Sequence, residues 1–157
     1  MVRSMSKPRQ HIEGYCMLYA VYFVDDPMHG TMTFRHHFRM NRKLCLDIVL
    51  VIWEYDIYFV YKKDCIGTVG FSSIQKCTSA LRMLAYRDPA DTQDDYMRMA
   101  ESTAQECMYR FCKAVVAVFG ELYLRSPTAE YTAWIMVRNA ARGFPRMVGS
   151  IDSMHWL

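Results

Sequence analysis

Asp152 ends a short apolar run, Met147 to Ile151, and is followed by Met154, His155 and Trp156 before Leu157 closes the chain. A run of that kind leading to a lone carboxylate is how a buried first strand delivers a metal-binding acid to the edge of an α/β sheet. One carboxylate is too few for a catalytic divalent cation. Hard ions take several oxygen ligands, and a two-metal site takes more. The chain therefore reads as a fragment cut where its chemistry begins. The remaining acids, among them Asp94, Asp95, Glu101 and Glu121, fall in a helical region. His155 and Trp156 read as packing beside the strand end, and Ser150 and Ser153 flank no G-x-S-x-G nucleophile elbow.

A second kind of chemistry is the reading of DNA. Ala100-Glu101-Ser102 is expected to form a tight turn between a short helix ending near Met99 and a longer one from Thr103 to Phe119. This helix-turn-helix would set the second helix in the major groove, its first half against the base edges. Thr103, Gln105, Glu106, Tyr109, Arg110 and Lys113 make up its polar arc. Gln suits adenine and Arg suits guanine, whereas Lys113 suits a phosphate. The densest basic cluster lies elsewhere: Arg35, His36, His37, Arg39, Arg42 and Lys43. Such a patch attracts phosphates by Coulomb forces that fade with salt, and neutral histidines weaken it relative to arginines. His36 and His37 have no third ligand nearby in sequence to make a metal site.

The elements that must position these groups are helical. Residues 1–17 are basic, Met-rich and without periodicity, and are expected to form a loose tail. Thr33 is expected to cap a helix through Phe38, and Asn41 one to about Glu54, with Leu44, Ile48, Val49, Val51 and Ile52 buried. Asp56 to Gly70 reads as a loop. Ser72 with Gln75 forms a capping box opening a helix of Ile74, Cys77, Leu81, Leu84 and Ala85, ended at Arg87-Asp88-Pro89. Asp91 or Thr92 caps the short helix of the DNA-reading motif. Ser102 with Gln105 is a second capping box, and Gly120 closes that helix. Thr128 caps a last helix to Ala141, with Gly143 as its stop. Residues 18–142 thus form the helical region, and residues 143–157 the start of a further domain.

The chain has 157 residues, enough for one ordinary core, and a net charge of +3, less basic than most DNA-binding domains. Cysteines at 16, 45, 65, 77, 107 and 112 include no CxxC pair and no zinc-ligand spacing. They read as free thiols of a reducing compartment. No stretch approaches the roughly 20 apolar residues of a membrane span. Tyr15 to Val24, preceded by Arg3, Lys7 and Arg9, imitates a signal peptide, but no small-residue cleavage site follows before Asp25-Asp26-Pro27.

These strings also carry a family resemblance. Gly143-Phe144-Pro145, Gly149-Ser150-Ile151-Asp152 and Met154-His155-Trp156 are similar to the first catalytic segment of Harbinger-type transposases and their domesticated nucleases, a group known in plants as plant transposon proteins. The likeness extends back through Phe34-Arg35-His36-His37-Phe38-Arg39-Met40, Ser72 to Thr78, Ala80 to Tyr86, Glu101 to Ala104 and Tyr123 to Thr128, covering the chain from about Leu18. The family tends to have Arg at positions like His36 and His37, Gly at positions like Arg87 and Arg146, and Cys at Ser153. The resemblance implies a mainly α chain: a helical bundle with a helix-turn-helix, plus the first strand of a truncated ribonuclease-H-like α/β domain. Asp152 would be the first acid of an Asp-Asp-Glu site that holds Mg²⁺ for phosphodiester cleavage, with the companion acids far downstream in the family. It further implies DNA as a partner, a nuclear location, and no metal bound or cleavage performed by this chain alone. The competing expectation is a helical protein-interaction module, a domesticated remnant that binds a protein partner or another copy of itself.

Overall fold

A computed structural model describes residues 10–63, 67, 69–87 and 97–150. The described residues hold six helices in two compact units, divided between Phe119 and Gly120. They contain no strand, only an isolated antiparallel bridge between Lys63 and Val69. None of the described helices is long and apolar enough to cross a membrane.

In the first unit α1 spans His11–Tyr22, α2 Thr31–Phe38, α3 Arg42–Tyr55 and α4 Ser73–Tyr86. α5, Glu101–Tyr123, begins there and runs into the second unit, which holds α6, Ala129–Ala141. α1 was not foreseen: residues 11–17, read as tail, are helical, with Gly14 and Leu18 buried. Gly14 permits close approach, since a Cβ there would sit 3.0 Å from the Met97 carbonyl oxygen. Its neighbours Ile12, Met17 and Tyr19 stay exposed, which blurs the helical period that would have revealed the element.

The core of this unit is aromatic where α1 meets α2. Phe34 and Phe38, one turn apart, stack with centroids 4.3 Å apart, and Tyr22 meets both edge-on. Cys45, Val49 and Ile52 of α3 complete it with Cys77, Ala80 and Leu81 of α4 and Ala104, Cys107, Phe111 and Ala114 of α5. The expected buried face of α3 is thus rotated. Val49 and Ile52 are buried, but Leu44 is exposed and Cys45 takes the inward position.

Sequence caps account for several helix starts. The Asn41 side chain accepts from the Leu44 amide at 2.8 Å. Ser72 and Gln75 form the reciprocal capping box, and the Gln75 carboxamide also donates to the His11 carbonyl at 3.0 Å, tying α4 to α1. α2 starts two residues before the expected Thr33 cap, at Thr31 after Gly30, with no side-chain cap.

The expected turn at 100–102 gives way to helix. The Ala104 amide donates to the Ala100 carbonyl at 2.9 Å, so the ladder starts there and Glu101 and Ser102 lie inside α5. A carboxylate at Glu101 suits the positive end of the helix, which explains the earlier start. The preceding helix expected from Asp91 or Thr92 falls largely outside the described residues. Nor does Gly120 stop α5: the Leu124 amide donates to its carbonyl at 2.7 Å and the helix reaches Tyr123. An isolated glycine costs a helix only about 1 kcal/mol, too little to end a long one.

In the second unit Thr128 caps α6 as expected, its side chain accepting from the Tyr131 amide at 3.2 Å. The helix ends in a Schellman turn. Gly143 takes φ +88°, its amide donates to the Ala140 carbonyl, and the Phe144 amide donates to the Asn139 carbonyl. Residues 147–150, the described part of the expected strand, are not a strand; Ile151 and Asp152 lie outside the described residues.

Candidate nucleic-acid interface

The residues expected to meet DNA fall in two places in the first unit. The α2–α3 cluster is the more open. Arg35 is exposed on α2. Arg39 terminates that helix with φ +57°, and its guanidinium lies 5.8 Å from the centre of the Tyr86 ring of α4. Arg82, one turn before Tyr86, lies at the same distance from that ring. His36 and His37 flank it as well, with ring centres 6.4 and 6.2 Å away. Packing of α2 against α4 therefore builds a basic, aromatic site that the linear order of residues does not display.

Arg42 and Lys43 are less available. Arg42 turns inward, donating to the Val24 carbonyl at 3.3 Å with its guanidinium 5.7 Å from the Phe34 ring centre. Lys43 is outward but pairs with Asp47 at 2.8 Å. An exposed pair of this kind is worth little and opens readily to a phosphate.

His37 carries a perturbed imidazole. Its Nδ1 is 2.6 Å from the Tyr22 hydroxyl, and the His29 ring meets it edge-on at 5.6 Å. Partial burial, then the positive Arg82 and the neighbouring His29 and His36, push its pKa below the ordinary histidine value. The fold thus supplies a third histidine that sequence proximity did not. Even so, no three His, Cys, Asp or Glu side chains among the described residues converge to hold a metal ion. Asp152, on which the Mg²⁺ expectation rests, lies outside the described residues, and the described side chains do not fit that ion.

The α5 arc is the second place. Gln105 and Tyr109 are exposed, with Gln105 donating to Glu101 at 3.1 Å. Thr103 is half-buried. Lys113 is exposed, its ammonium 4.9 Å from the Tyr109 ring centre. Arg110 is engaged within the protein. Its Nε donates to Glu106 at 2.5 Å, Nη1 is 3.6 Å from the Asp56 carboxylate, and its guanidinium covers the Tyr58 ring at 4.6 Å. The hydrogen bond it donates to Glu106 holds its pKa above the usual arginine value. Arg110 therefore fastens α5 to the loop after α3, and could reach a base only by leaving three partners.

On the other side of that loop Lys76, almost wholly buried, donates to the Tyr58 carbonyl at 2.6 Å; burial lowers its pKa. The Tyr58 hydroxyl contacts the Cys107 sulfur at 3.3 Å, and burial raises the pKa of both. The Cys107 thiol is an inert structural member rather than a nucleophile, because desolvation disfavours the thiolate. Cys16, Cys45, Cys77, Cys107 and Cys112 are free, as expected.

Sequence reasoning missed Arg82 and Tyr86 because they lie on a helix read only for its apolar positions. Their spacing, four residues apart beside Arg87, was the available signal. It also passed over the aromatic and basic residues of α6.

Two family models match parts of the chain. Residues 14–52, which include the α2–α3 cluster, match a domain of unknown function (DUF8418). Residues 121–157, which include α6 and Asp152, match the family described as plant transposon protein. No curated protein and no solved structure matches. The second match supports a transposon-related origin for this chain.

Proposed function

We propose that this transposon-related chain is a Harbinger-like, transposase-derived protein that binds duplex DNA in the nucleus through its helical region. The match of residues 121–157 to plant transposon proteins carries the reading. The exposed cations add to it: Arg35 on α2, Arg39 at its end, Lys43 on α3 and Lys113 on α5 supply phosphate contacts without demanding a base sequence. Gln105, Tyr109 and Thr103 are the candidates for finer contacts along α5. Asp152 would be the family's first metal-binding acid, and one carboxylate does not assemble a two-ion site.

A mobility-shift titration of a mixed-sequence duplex at about 50 and 200 mM salt tests the reading. Neutralising several phosphates makes affinity fall by orders of magnitude across that range. Incubating supercoiled plasmid with the chain and Mg²⁺ should leave it intact. Absence of any salt-sensitive shift would sink the DNA-binding part, and Mg²⁺-dependent nicking would sink the claim of inactivity.

A protein-interaction module is the second reading. Leu46, Leu50 and Trp53 are exposed at helical spacing on α3, an apolar stripe suited to a partner helix or a second copy. A Leu50→Lys, Trp53→Lys double variant should then lose self-association or partner capture while retaining DNA binding.

A further inference from the structure

The second unit holds a stack of four side chains with no part in the duplex contacts proposed above. Tyr131 and Trp134 lie one turn apart on α6, their ring centres 5.7 Å apart and their planes within 18° of parallel. The Arg125 guanidinium lies 5.4 Å from the Tyr131 ring centre, and that of Arg138 lies 4.8 Å from the Trp134 ring centre. All four side chains are exposed; half of the Trp134 surface is open to solvent. Residues 131, 134 and 138 share one arc of a helix with 3.6 residues per turn, and Arg142 follows on the same arc. A recess of about 260 Å³ opens there, lined by Trp134, Ile135, Arg138, Asn139 and Arg142.

We propose that Arg125, Tyr131, Trp134 and Arg138 form a stacking platform for single-stranded nucleic acid, with Arg142 placed to take a phosphate. Each component matches what an unpaired strand offers. Flat aromatic faces accept any base, because every base has a π-face, and neighbouring cations track the backbone. In the free protein the arginines occupy the aromatic faces by cation–π attraction. An incoming base takes the Trp134 face, and Arg138 swings outward toward a phosphate.

Charge separates this from an ordinary apolar docking face. Over residues 120–150 the arginines at 125, 138, 142 and 146 outnumber the glutamates at 121 and 130. An apolar peptide gains nothing from guanidinium groups over both aromatic rings, whereas a polyanion with ring-shaped bases gains from both. The ligand is a single strand because paired bases are stacked on one another and expose only their edges in the grooves. The platform is independent of the α2–α3 and α5 contacts, so either assignment can fail alone.

The test is fluorescence anisotropy of a labelled oligothymidylate titrated with the 157-residue chain, beside a labelled duplex and with inorganic polyphosphate as competitor. The platform predicts oligothymidylate binding that polyphosphate competes for poorly. Trp134→Ala and Tyr131→Ala should each weaken it about fivefold or more, and Trp134→Phe should retain most of it. Duplex affinity should be unchanged in these variants, and circular dichroism should show equal helix content. Equal affinity of Trp134→Ala and the parent for oligothymidylate overturns the proposal, as does competition by polyphosphate matching that of the oligonucleotide charge for charge. Retention of a peptide ligand by this face without oligonucleotide binding overturns it too. Loss of duplex binding with Trp134-dependent oligothymidylate binding intact sustains the platform and removes only the duplex reading.

Discussion

The Tyr22 hydroxyl lies 2.6 Å from Nδ1 of His37, bridging α1 and α2 at the edge of the aromatic core. His37 is also faced by His29 from the preceding loop, by His36 from its own helix, and by Arg82 and Tyr86 from α4. Its folded pKa lies below the ordinary value of about 6.5, so the unfolded chain binds the proton more readily. The stability His37 contributes is complete above about pH 6.5 and is lost as pH falls toward its folded pKa. Thermal melts between pH 7.5 and 5.5 should show Tm falling, and His37→Phe should flatten that dependence. Equal slopes for the two proteins would remove His37 as its source.

Arg110 and Lys113 occupy neighbouring turns of α5 but do different work. Arg110→Glu places a carboxylate beside Glu106 and Asp56 and should lower Tm clearly, whereas Lys113→Glu should leave Tm nearly unchanged. Both should weaken duplex binding. Lys113→Ala is the cleaner probe: losing one phosphate contact reduces the slope of log affinity against log salt by about 1. The pair of melts and one salt titration check this.

Gln75 is buried, and its carboxamide serves both the Ser72 amide and the His11 carbonyl. Gln75→Ala strands both groups and should cost about 1–3 kcal/mol. Gly14→Val pushes side-chain atoms into the Met97 carbonyl and should cost about 1–3 kcal/mol. Urea titrations with unchanged m-values would measure both.

The caps of α6 should control its local stability. Thr128→Ala removes a bond to the Tyr131 amide and should cost about 1 kcal/mol. Gly143→Ala strains a residue at φ +88° and should cost a similar amount, about 1 kcal/mol. Hydrogen exchange should quicken across residues 129–141 in each variant while α2 and α3 keep their protection.

Thiol labelling should follow burial. Cys45, whose pKa burial raises to about 12, and the equally enclosed Cys77 and Cys107 should resist iodoacetamide at pH 8 until the chain unfolds. Exposed Cys16 should react in the native protein. Peptide mass spectrometry after brief alkylation distinguishes them.

Cap chemistry was the most legible part of the sequence. Asn41, Ser72 with Gln75, and Thr128 act where they stand because a cap bond spans only three residues. Ser102 with Gln105 carries the same pattern yet sits inside a helix, because the Ala100 carbonyl was free to start the ladder earlier. α1 escaped notice since its buried side is narrow, formed by Gly14, Leu18 and Tyr22, with large apolar residues left outside. Of the candidate site, Arg35, Gln105, Tyr109 and Lys113 were identifiable as polar members of exposed helical arcs. The engagement of Arg110 and the inward turn of Arg42 were not, because their partners Asp56, Tyr58 and Val24 lie many residues away.

Local sequence alone determined where α3, α4 and α6 begin, the helical end signal at Gly143, and the likeness of residues 143–156 to a transposase segment. Bonds and motifs confined to a few neighbouring residues do not depend on the rest of the chain. Tertiary packing decided which cations remain available. It brought Tyr86 and Arg82 beside Arg39 and His37, and it spent Arg110 on Asp56 and Tyr58. Those outcomes depend on which helix faces meet, a choice made by burying the aromatic residues of α1 and α2 together with the small residues of α4 and α5. No spacing along the chain encodes that choice one residue at a time.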